Sequence, residues 1–515
     1  MSASTLGQSV PQVNARSKVL GRAMYAGDIK VAGMLHGKVL RSLHPHARIV
    51  RIDTTAARAL PGVKAVVTGA DAPNTPWGVH HKERYILAKD VVRFAGEEIA
   101  AVAAVSEEIA RDALDLIEVE YEVLPHVIDV DAAMAPDAPV IRAGTADHSV
   151  PEGMHPNVVK YIDFGHGDLE AGFAAADLVR AQTYKTEATH QGYIEPHACL
   201  GQMGADGKGE MWVCTQGQWY IRRMCAAVLG IDASGLRVTP SEIGGGFGGK
   251  TIIFMEPLAL ALSRKAGGRP VKLVMSRSDV LRATGPTASA SMDVKLGMTK
   301  DGKLTAAKVN FRMQGGAFLG ASPVGEALSC ALACYDIPAV QHDGVEVLAN
   351  RPKAAAYRAP GSPMAAFAVE SLLDEMCHEL GLDPLDVRLK NAVREGVKAS
   401  YGPTYAKIGL VEVLEATKAH PNLLAPLGPN QGRGIASGFW FNHGGETSVS
   451  LAIGEDGTVT VSAGTPDIGG VARQPEYLIE WIDRQADAVM RITARGFGTD
   501  LNTEVVLQSY VRAPD

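Results

Sequence analysis

The first 130 residues alternate between apolar stretches typical of strands and shorter segments with the period of helices. Residues 35–42 and 63–68 have the composition of strands, and residues 99–105 are almost entirely apolar, as in a strand buried on both faces. Ser106, followed by two acidic residues, predicts the N-terminus of a helix that runs to about residue 116. The pattern predicts a compact α+β domain.

The central part of the chain predicts two helices and a hairpin, and a second hairpin is expected further on. The helices cover residues 219–229 and 364–380, and each is followed by a glycine, which commonly ends a helix. The hairpins cover residues 294–315 and 448–462, each with a polar, glycine-containing turn. After residue 473 the periodicity is weak and predicts no clear core pattern.

A glycine-rich segment at residues 243–251 reads Ile-Gly-Gly-Gly-Phe-Gly-Gly-Lys-Thr. Glycine is used where the backbone needs a positive φ or must approach another group closely. The segment follows a predicted strand at residues 236–239 and precedes a helix predicted to start at Ile252. Free backbone N–H groups and a helix N-terminus favour an anion, so the expected ligand is a phosphate or an oxyanionic cofactor.

Several interpretations of this segment compete. The spacing from Gly244 to Thr251 matches a P-loop, and Gly244, Gly246 and Gly249 match the dinucleotide pattern GxGxxG. Another phosphate-bearing cofactor and a glycine turn without a ligand are the alternatives. The mid-chain position argues against the first two, because those motifs usually follow the first strand of their domain. Asp279 is the nearest acidic candidate for a P-loop partner.

Two further loops carry candidate site residues. Gln216 follows a strand predicted at residues 211–214, and its amide offers both a donor and an acceptor. Arg358 lies among small residues ahead of the helix at 364–380, where its guanidinium could bind an oxyanion through two hydrogen bonds. A solvated surface arginine is an equal alternative for this loop taken alone.

Composition and charge narrow the class of protein. The chain has 515 residues and a formal charge of −7, which gives no case for a nucleic-acid partner. No apolar run is long enough for a membrane span, and the first residues lack a secretion-signal pattern, so the expected compartment is the cytoplasm. The six cysteines form no CxxC pairs and are expected to be buried thiols.

Taken together, these segments resemble the molybdopterin-binding (large) subunit of the xanthine dehydrogenase and aldehyde oxidase family, from about residue 15 to about residue 472. The motifs that carry the resemblance are Gly21-Arg22-Ala23-Met24-Tyr25, His46-Ala47-Arg48-Ile49, Pro61-Gly62-Val63, Gly96-Glu97-Glu98-Ile99, Glu195-Pro196-His197, Thr215-Gln216, residues 244–250 and Tyr357-Arg358. Five or more such motifs in the family's order displace the P-loop interpretation.

The resemblance implies an α+β fold with a defined domain order. An a/b hammerhead domain is expected at residues 15–130, and a linker rich in Ala, Asp and Pro at residues 131–157. The first half of a molybdopterin cofactor-binding domain is expected at residues 158–472. Residues 473–515 form a tail of unassigned character, and the family's C-terminal half has no counterpart in the sequence.

The family hydroxylates an sp² carbon of an aldehyde or aromatic heterocycle with oxygen from water, and the resemblance implies the same function here. The metal is held through the pterin dithiolene, so the chain contributes no metal ligand. Gln216, facing an oxo ligand of molybdenum, and Arg358, on the pocket wall, are the implied catalytic residues. The implied cofactor-binding residues are Gln216, Gly246, Phe247, Gly248, Arg358, Ile468, Gly469 and Gly470.

The resemblance also implies cofactors and partners. Molybdenum–molybdopterin is expected, either in its simple form or as the cytosine dinucleotide. A 2Fe–2S cluster and FAD are expected on an iron–sulfur subunit and a flavin subunit. A second molybdopterin-domain chain is a further expected partner, because the pterin contacts and the glutamate base of the family's C-terminal half are missing.

Departures from the family pattern leave other hypotheses open. Thr251 stands where relatives with purine substrates often have Glu, and Ala359-Pro360 stands where carbon monoxide dehydrogenases have Cys, so neither substrate is expected. The chain is either half of a split domain or a remnant truncated or frame-shifted after about Arg473. A non-catalytic binding or assembly subunit is the third hypothesis, and a P-loop nucleotide hydrolase is the outsider.

Overall fold

The computed structural model describes residues 12, 14–78, 81–320, 322–440, 449–456, 458–463, 476–483, 489–497 and 504–512. The chain divides into two compact units, Met1–Gly438 and Phe439–Asp515.

The N-terminal part of the first unit alternates strands with short helices. In chain order its elements are α1 (Ala15–Val19), β1 (Leu35–Arg41), β2 (Ala47–Asp53), α2 (Thr55–Ala59), β3 (Val63–Thr68), β4 (Val91–Val92), β5 (Glu98–Ala104), α3 (Glu107–Asp115) and β6 (Glu118–Val123). Every residue of β5 is buried, and the Ser106 hydroxyl accepts the Ile109 N–H at the start of α3. The predicted strands, the buried strand and the helix cap are confirmed.

The rest of the first unit contains longer strands and helices. Its strands are β7 (Val158–His166), β8 (Leu178–Thr186), β9 (Ala198–Met203), β10 (Gly209–Val213), β11 (Leu236–Pro240), β12 (Val271–Val274), β13 (Ala290–Met298), β14 (Leu304–Gly316) and β15 (Ala339–Leu348). Its helices are α4 (Leu169–Ala174), α5 (Gln218–Leu229), α6 (Glu256–Lys265), α7 (Arg277–Ala283), α8 (Val324–Ala331), α9 (Ser362–Leu380), α10 (Pro384–Asn391), α11 (Leu410–Lys418) and α12 (Pro421–Leu424).

The predicted helix ends and the first hairpin are confirmed in this region. Gly230 and Gly381 follow α5 and α9 in the left-handed conformation, with φ of 66° and 65°. This conformation is easily reached only by glycine, which explains why the helices end there. Strands β13 and β14 pair antiparallel, as the sequence predicts.

One seven-stranded sheet joins the N-terminal part to the later chain, in the order β11-β10-β9-β12-β1-β5-β3. The junction is the parallel pairing of β1 with β12, in which Leu35 lies opposite Val271. A single buried core runs across this junction, and it includes Leu35 and Val67 together with Leu260 and Val271. Residues 15–130, which we call the hammerhead segment after the predicted domain, therefore share their core with the chain that follows them.

A second sheet of five strands has the order β7-β15-β14-β13-β8. Helix α9 packs against β13 and β8, and α8 packs against β14 and β15. The segment before β7 is anchored to the unit by Asn157, whose side chain bonds to Ala133 O, Pro139 O and Ile141 N. The chain through the predicted linker, residues 131–157, is therefore held in place by hydrogen bonds to Asn157.

The second unit contains two small antiparallel sheets among its described residues. Strands β16 (Val449–Ile453) and β17 (Val459–Ala463) form the second predicted hairpin. Strands β18 (Glu476–Asp483), β19 (Val489–Phe497) and β20 (Glu504–Arg512) form a three-stranded sheet. The sequence analysis predicted no clear core pattern after residue 473, so it did not predict these three strands.

Candidate active site

The glycine-rich segment, residues 243–251, is a loop between β11 and α6. Helix α6 begins at Glu256, so the prediction that a helix starts at Ile252 is wrong. Residues 251–255 are bends without regular secondary structure, and they separate the loop from α6. The Glu256 carboxylate accepts the Phe254 N–H at the helix start. Any anion bound by the loop therefore faces backbone amides of the loop and not the α6 N-terminus.

The loop backbone is held in conformations that its sequence selects. Gly245 and Gly248 have φ of 94° and 99°, and Phe247 between them has φ of 51°, which is uncommon for a residue with a side chain. A Cβ added to Gly246 would lie 2.5 Å from Gln216 Oε1, and one added to Gly248 would lie 2.6 Å from Ala356 O. Strain and close packing of this kind concentrate at functional sites.

Gln216 is fixed against the loop by three hydrogen bonds. Its Oε1 accepts the N–H groups of Gly248 at 2.9 Å and Lys250 at 3.2 Å, and its own backbone N–H donates to Lys250 O at 3.0 Å. Because both acceptor contacts involve backbone donors, the carbonyl end of the amide must face the loop. The Nε2 group has no partner among the described residues, so it is the end available to a ligand.

The loop that carries Arg358 lies against the glycine loop. The Arg358 N–H donates to Phe247 O at 3.0 Å. Arg358 and Ala359 are consecutive non-glycine residues with positive φ, 24° and 61°. Within the described ranges the exposed Arg358 guanidinium contacts no carboxylate and makes no hydrogen bond. It is therefore a cation available to an anionic ligand.

The structure thus brings together most of the predicted site residues. Backbone N–H groups of Gly245, Gly246 and Phe247 make no hydrogen bond to any residue that the structure describes, and Gln216 Nε2 and Arg358 add two further donors. Successive free amides in turn conformations are groups that bind anions in proteins. We call these groups the donor surface. Its chemistry fits a phosphate-bearing or oxyanionic cofactor, as the sequence predicts.

Gly248 is one of the predicted cofactor-binding residues, and the structure places it beside Gln216. Its N–H donates to Gln216 Oε1, whereas the N–H groups of Gly246 and Phe247 make no hydrogen bond within the described residues. The predicted Ile468, Gly469 and Gly470 lie outside the described residues.

The interior side of the loop is closed by an ion pair that the sequence analysis did not predict. Lys250 Nζ lies 2.7 Å from Glu195 Oε2, and the Lys250 side chain has no solvent exposure. A P-loop lysine must reach phosphate, but Lys250 points into the core. Asp279 instead bonds to Ser276 in the capping box of α7. The P-loop interpretation is therefore not supported.

A buried hydrogen-bonded chain lies next to this ion pair. His197 Nε2 is 2.7 Å from the Tyr193 hydroxyl, which is 3.1 Å from Thr284 Oγ1. Since Thr284 donates to Val280 O, the Tyr193 hydroxyl donates to Thr284 and accepts from His197. Burial, with the nearby Lys250 charge, lowers the pKa of His197 well below its usual value. His197 is thus neutral and holds Tyr193 in place.

A large cleft lies elsewhere on the first unit, between the hammerhead segment and the later chain. Its volume is about 1110 Å³, and Gly244 and Glu195 line it, whereas Gln216, Phe247 and Arg358 do not. Two cationic side chains that line the cleft form ion pairs: Lys38 pairs with Glu107, and Arg41 pairs with Glu98 and Asp279. The donor surface is therefore distinct from this cleft.

The cysteines are buried, as predicted, and burial raises the pKa of the thiols of Cys199, Cys214 and Cys225. None of the helices in the described ranges has both the length and the apolar character needed to cross a bilayer.

Comparisons with known families match three parts of the chain. Residues 20–125 match the aldehyde oxidase and xanthine dehydrogenase a/b hammerhead domain. Residues 150–392 match the molybdopterin cofactor-binding domain. Residues 413–513 match a third description, type IV pilus assembly protein PilX C-term.

Two curated relatives differ in how much of their own length this chain matches. The nicotinate dehydrogenase large molybdopterin subunit of Eubacterium barkeri is 33% identical over 417 residues, which cover 80% of this chain and 95% of the relative. The xanthine dehydrogenase molybdenum-binding subunit of Escherichia coli O157:H7 is 31% identical over 89% of this chain, but the match covers only 63% of the relative.

A solved structure confirms the fold over most of the chain. The aldehyde oxidoreductase from Desulfovibrio gigas has 28% identity and a TM-score of 0.78, covering 88% of this chain and 51% of that one. The chain thus spans about half of this enzyme. Two domain matches in order, a relative matched over nearly its whole length and a shared fold agree. The chain belongs to the xanthine dehydrogenase and aldehyde oxidase family, as a molybdopterin-binding subunit.

Proposed function

We propose that this chain is part of a molybdenum hydroxylase that oxidises an sp² carbon of an aldehyde or aromatic heterocycle, with water as the source of oxygen. The observation that carries the proposal is the donor surface formed by Gln216, the glycine loop and Arg358 within a chain of this family. The names of its relatives, which include nicotinate and xanthine dehydrogenases, support this reaction class.

The donor surface would hold the anionic part of molybdenum–molybdopterin. When bound, the cofactor supplies the two-electron oxidation that the reaction requires. The amides of Gly246 and Phe247 offer fixed donors, Gln216 Nε2 offers a side-chain donor, and Arg358 supplies positive charge. Donors that are already in place need no reorganisation during the reaction, which makes them effective. Ile468, Gly469 and Gly470 are proposed to add contacts to the cofactor's phosphate end.

The general base is proposed to come from a second polypeptide. The acids nearest the loop in the described residues are committed to other contacts: Glu195 binds Lys250, and Glu242 binds Asn14 and Lys18. A base must reach the proton that it removes. The match to nearly the whole of a protein called a large molybdopterin subunit supports a divided domain.

We extend the proposal to the remaining partners and cofactors. An iron–sulfur subunit with a 2Fe–2S cluster and a flavin subunit with FAD would carry electrons away from the site. The cytosine dinucleotide form of the cofactor is proposed because Ile468, Gly469 and Gly470 match a family loop that contacts a pyrophosphate.

A second candidate function follows from the match of residues 413–513 to the PilX description. If the sequence after about Arg473 has a different origin from the rest, the chain is a remnant or a non-catalytic assembly subunit. Such a chain would not acquire molybdenum with any partner.

Metal and pterin analysis separates the two candidates. The chain is purified alone and after co-expression with chains encoded beside it, and molybdenum and pterin are measured per chain. Molybdenum that is present only in the co-expressed complex, together with oxidation of an aldehyde or N-heterocycle, supports the divided hydroxylase. The absence of molybdenum from both preparations contradicts it.

Arg358 provides a residue-level test with a matched control. Arg358→Gln should lower the turnover of the loaded complex by roughly 100-fold, since the loss of one preorganised donor commonly costs that much. Arg351→Gln removes an arginine whose Nε donates to Ile128 O, away from the loop, and should leave turnover near the wild-type value. Equal losses in both variants would contradict the role of Arg358.

A further inference from the structure

We propose that Glu195 and Lys250 form a clamp that sets the glycine loop against Gln216, and that both act as positioning residues for the donor surface. The consequence for cofactor binding rests on the proposed function. The geometry of the clamp itself is a property of this chain. Neither side chain belongs to the donor surface, because Lys250 is fully buried and Glu195 lines the cleft described above.

Glu195 holds the beginning of the loop. Its Oε2 accepts the Gly244 N–H at 2.8 Å, and its own backbone N–H donates to Gly244 O at 3.1 Å. A Cβ added to Gly244 would lie 2.5 Å from Glu195 Cβ, so the two chains are in close contact. The start of the loop is therefore fixed by Glu195 through both backbone and side chain.

Lys250 holds the end of the loop and connects it to Gln216. Its Nζ donates to the same Glu195 Oε2 at 2.7 Å and lies 4.9 Å from the centre of the Tyr193 ring. Its backbone N–H and C=O both bond to Gln216, and the C=O also accepts the Thr215 hydroxyl at 3.1 Å. Movement of Lys250 would therefore move Gln216 as well.

One carboxylate oxygen thus joins the two ends of the loop, at residues 244 and 250. The free amides of Gly245, Gly246 and Phe247 lie between these ends. Because the Lys250 side chain is fully buried and the Glu195 side chain is 9% exposed, each charge depends on the other for compensation. Removal of either charge should loosen the loop and leave an unpaired buried ion.

Burial of this pair makes a loss of overall stability an alternative explanation for any variant, so the test needs a control. The pair Arg388–Glu370 is buried to the same degree, with side-chain exposures of 0% and 6% and a 2.8 Å contact. This pair joins helix α9 to helix α10, away from the loop. Glu370→Gln is therefore a matched variant for a purely structural loss.

The test compares Glu195→Gln, Lys250→Met and the double variant with Glu370→Gln. Amide hydrogen exchange of the purified chain without cofactor is measured for residues 243–251 and, as an internal reference, for β9. We expect exchange in the loop to become at least about tenfold faster in both single variants while β9 changes little. Glu370→Gln should affect both regions alike or neither.

Molybdenum retained per chain in the co-expressed complex is the second readout. The clamp variants should retain several-fold less molybdenum than wild type at equal folded fraction, and Glu370→Gln should retain the wild-type amount. Unchanged loop exchange in both single variants, or equal acceleration in the loop and in β9, overturns the clamp. Absence of molybdenum from the wild-type complex would instead contradict the proposed function, because the exchange measurement needs no cofactor.

Discussion

Gly248 is the loop glycine that combines a positive φ with a backbone atom within 3 Å of an added Cβ. Its φ of 99° disfavours any L-residue, and an added Cβ would lie 2.6 Å from Ala356 O and 2.8 Å from Ala356 Cβ. We expect Gly248→Ala to lower the free energy of unfolding by about 2–4 kcal/mol, since backbone strain and overpacking add. Chemical denaturation of the purified chain measures this loss.

Gly267 provides the control for that substitution. Its φ is also positive, at 70°, but an added Cβ would meet no atom within 4 Å. Gly267→Ala should therefore cost only the strain of the left-handed backbone, about 1 kcal/mol. If the two alanine variants were equally destabilised, the close approach of the Gly248 and Ala356 backbones would have no energetic importance.

Glu256, at the start of α6, predicts a pH dependence of stability. Burial raises the pKa of its carboxyl from the usual 4.5 to about 7. Between these two values the folded state keeps a proton that the unfolded state releases, so stability falls as pH rises through this window. Glu256→Gln removes this dependence.

The gain of the Gln variant over wild type should therefore be absent below pH 4 and grow to about 3 kcal/mol by pH 8. Thermal or chemical unfolding of the two proteins across this range measures the difference. A difference that stays constant with pH would show that Glu256 does not titrate in this window.

The sequence predicted the residues of the donor surface better than the contacts behind it. Glycine spacing pointed to the loop, a strand end pointed to Gln216, and a segment of small residues before a helix pointed to Arg358, because such patterns are local. The clamp joins Glu195 to a lysine 55 positions later, and no local pattern reports such a pairing. The sequence signal for this pairing was Glu195 itself, an acid two residues before His197 in a segment rich in polar groups.

At the scale of elements, the parallel pairing of β1 with β12 decides how the hammerhead segment is attached. Gly37 in β1 lies opposite Leu273 in β12. A Cβ added to Gly37 would lie 2.5 Å from Leu273 Cδ2 and 3.1 Å from Val271 Cγ1, although its backbone φ is ordinary. An alanine here would therefore have to displace the side chains of β12.

We expect Gly37→Ala to destabilise the chain by about 1–3 kcal/mol through overpacking at this junction. Leu273→Ala alone should cost about 2–5 kcal/mol, because it leaves a cavity in the core. The double variant should cost less than the sum of the two, since each change relieves the other. Chemical unfolding of the three variants tests this, and simple additivity would contradict the predicted clash.

Elements with strong patterns were predicted well, and the connections between them were not. The apolar composition of β5 predicts a buried strand, and Ser106 predicts the start of helix α3. The pairing of β1 with β12 joins residues more than 230 positions apart, so it depends on the whole fold. Strands β18 to β20 were missed, although Met490, Ile492 and Ala494 of β19 alternate with three polar residues.

For the whole molecule, the hammerhead segment and the later chain of the first unit form one packed body. Besides the shared sheet and core, a buried arginine connects them. Arg84 bonds to Glu98 at 2.6 Å, and its guanidinium carbon lies 5.5 Å from the ring centres of both Phe94 and Phe318. Phe318 belongs to the later chain, so this charge is compensated and covered by both parts.

This arrangement predicts that the two parts unfold together. Hydrogen exchange is followed at increasing denaturant for peptides from β5, in the hammerhead segment, and from β9, in the later chain. Because β5 is bonded to β1, and β1 to β12 and onward to β9, neither strand can open globally without exposing the core that both cover. The two peptides should therefore converge on the same free energy and the same denaturant dependence. If β5 instead exchanged through an opening of lower free energy and smaller denaturant dependence, the hammerhead segment would be an independent folding unit, and the β1–β12 junction would be a docking contact between two separately folded domains.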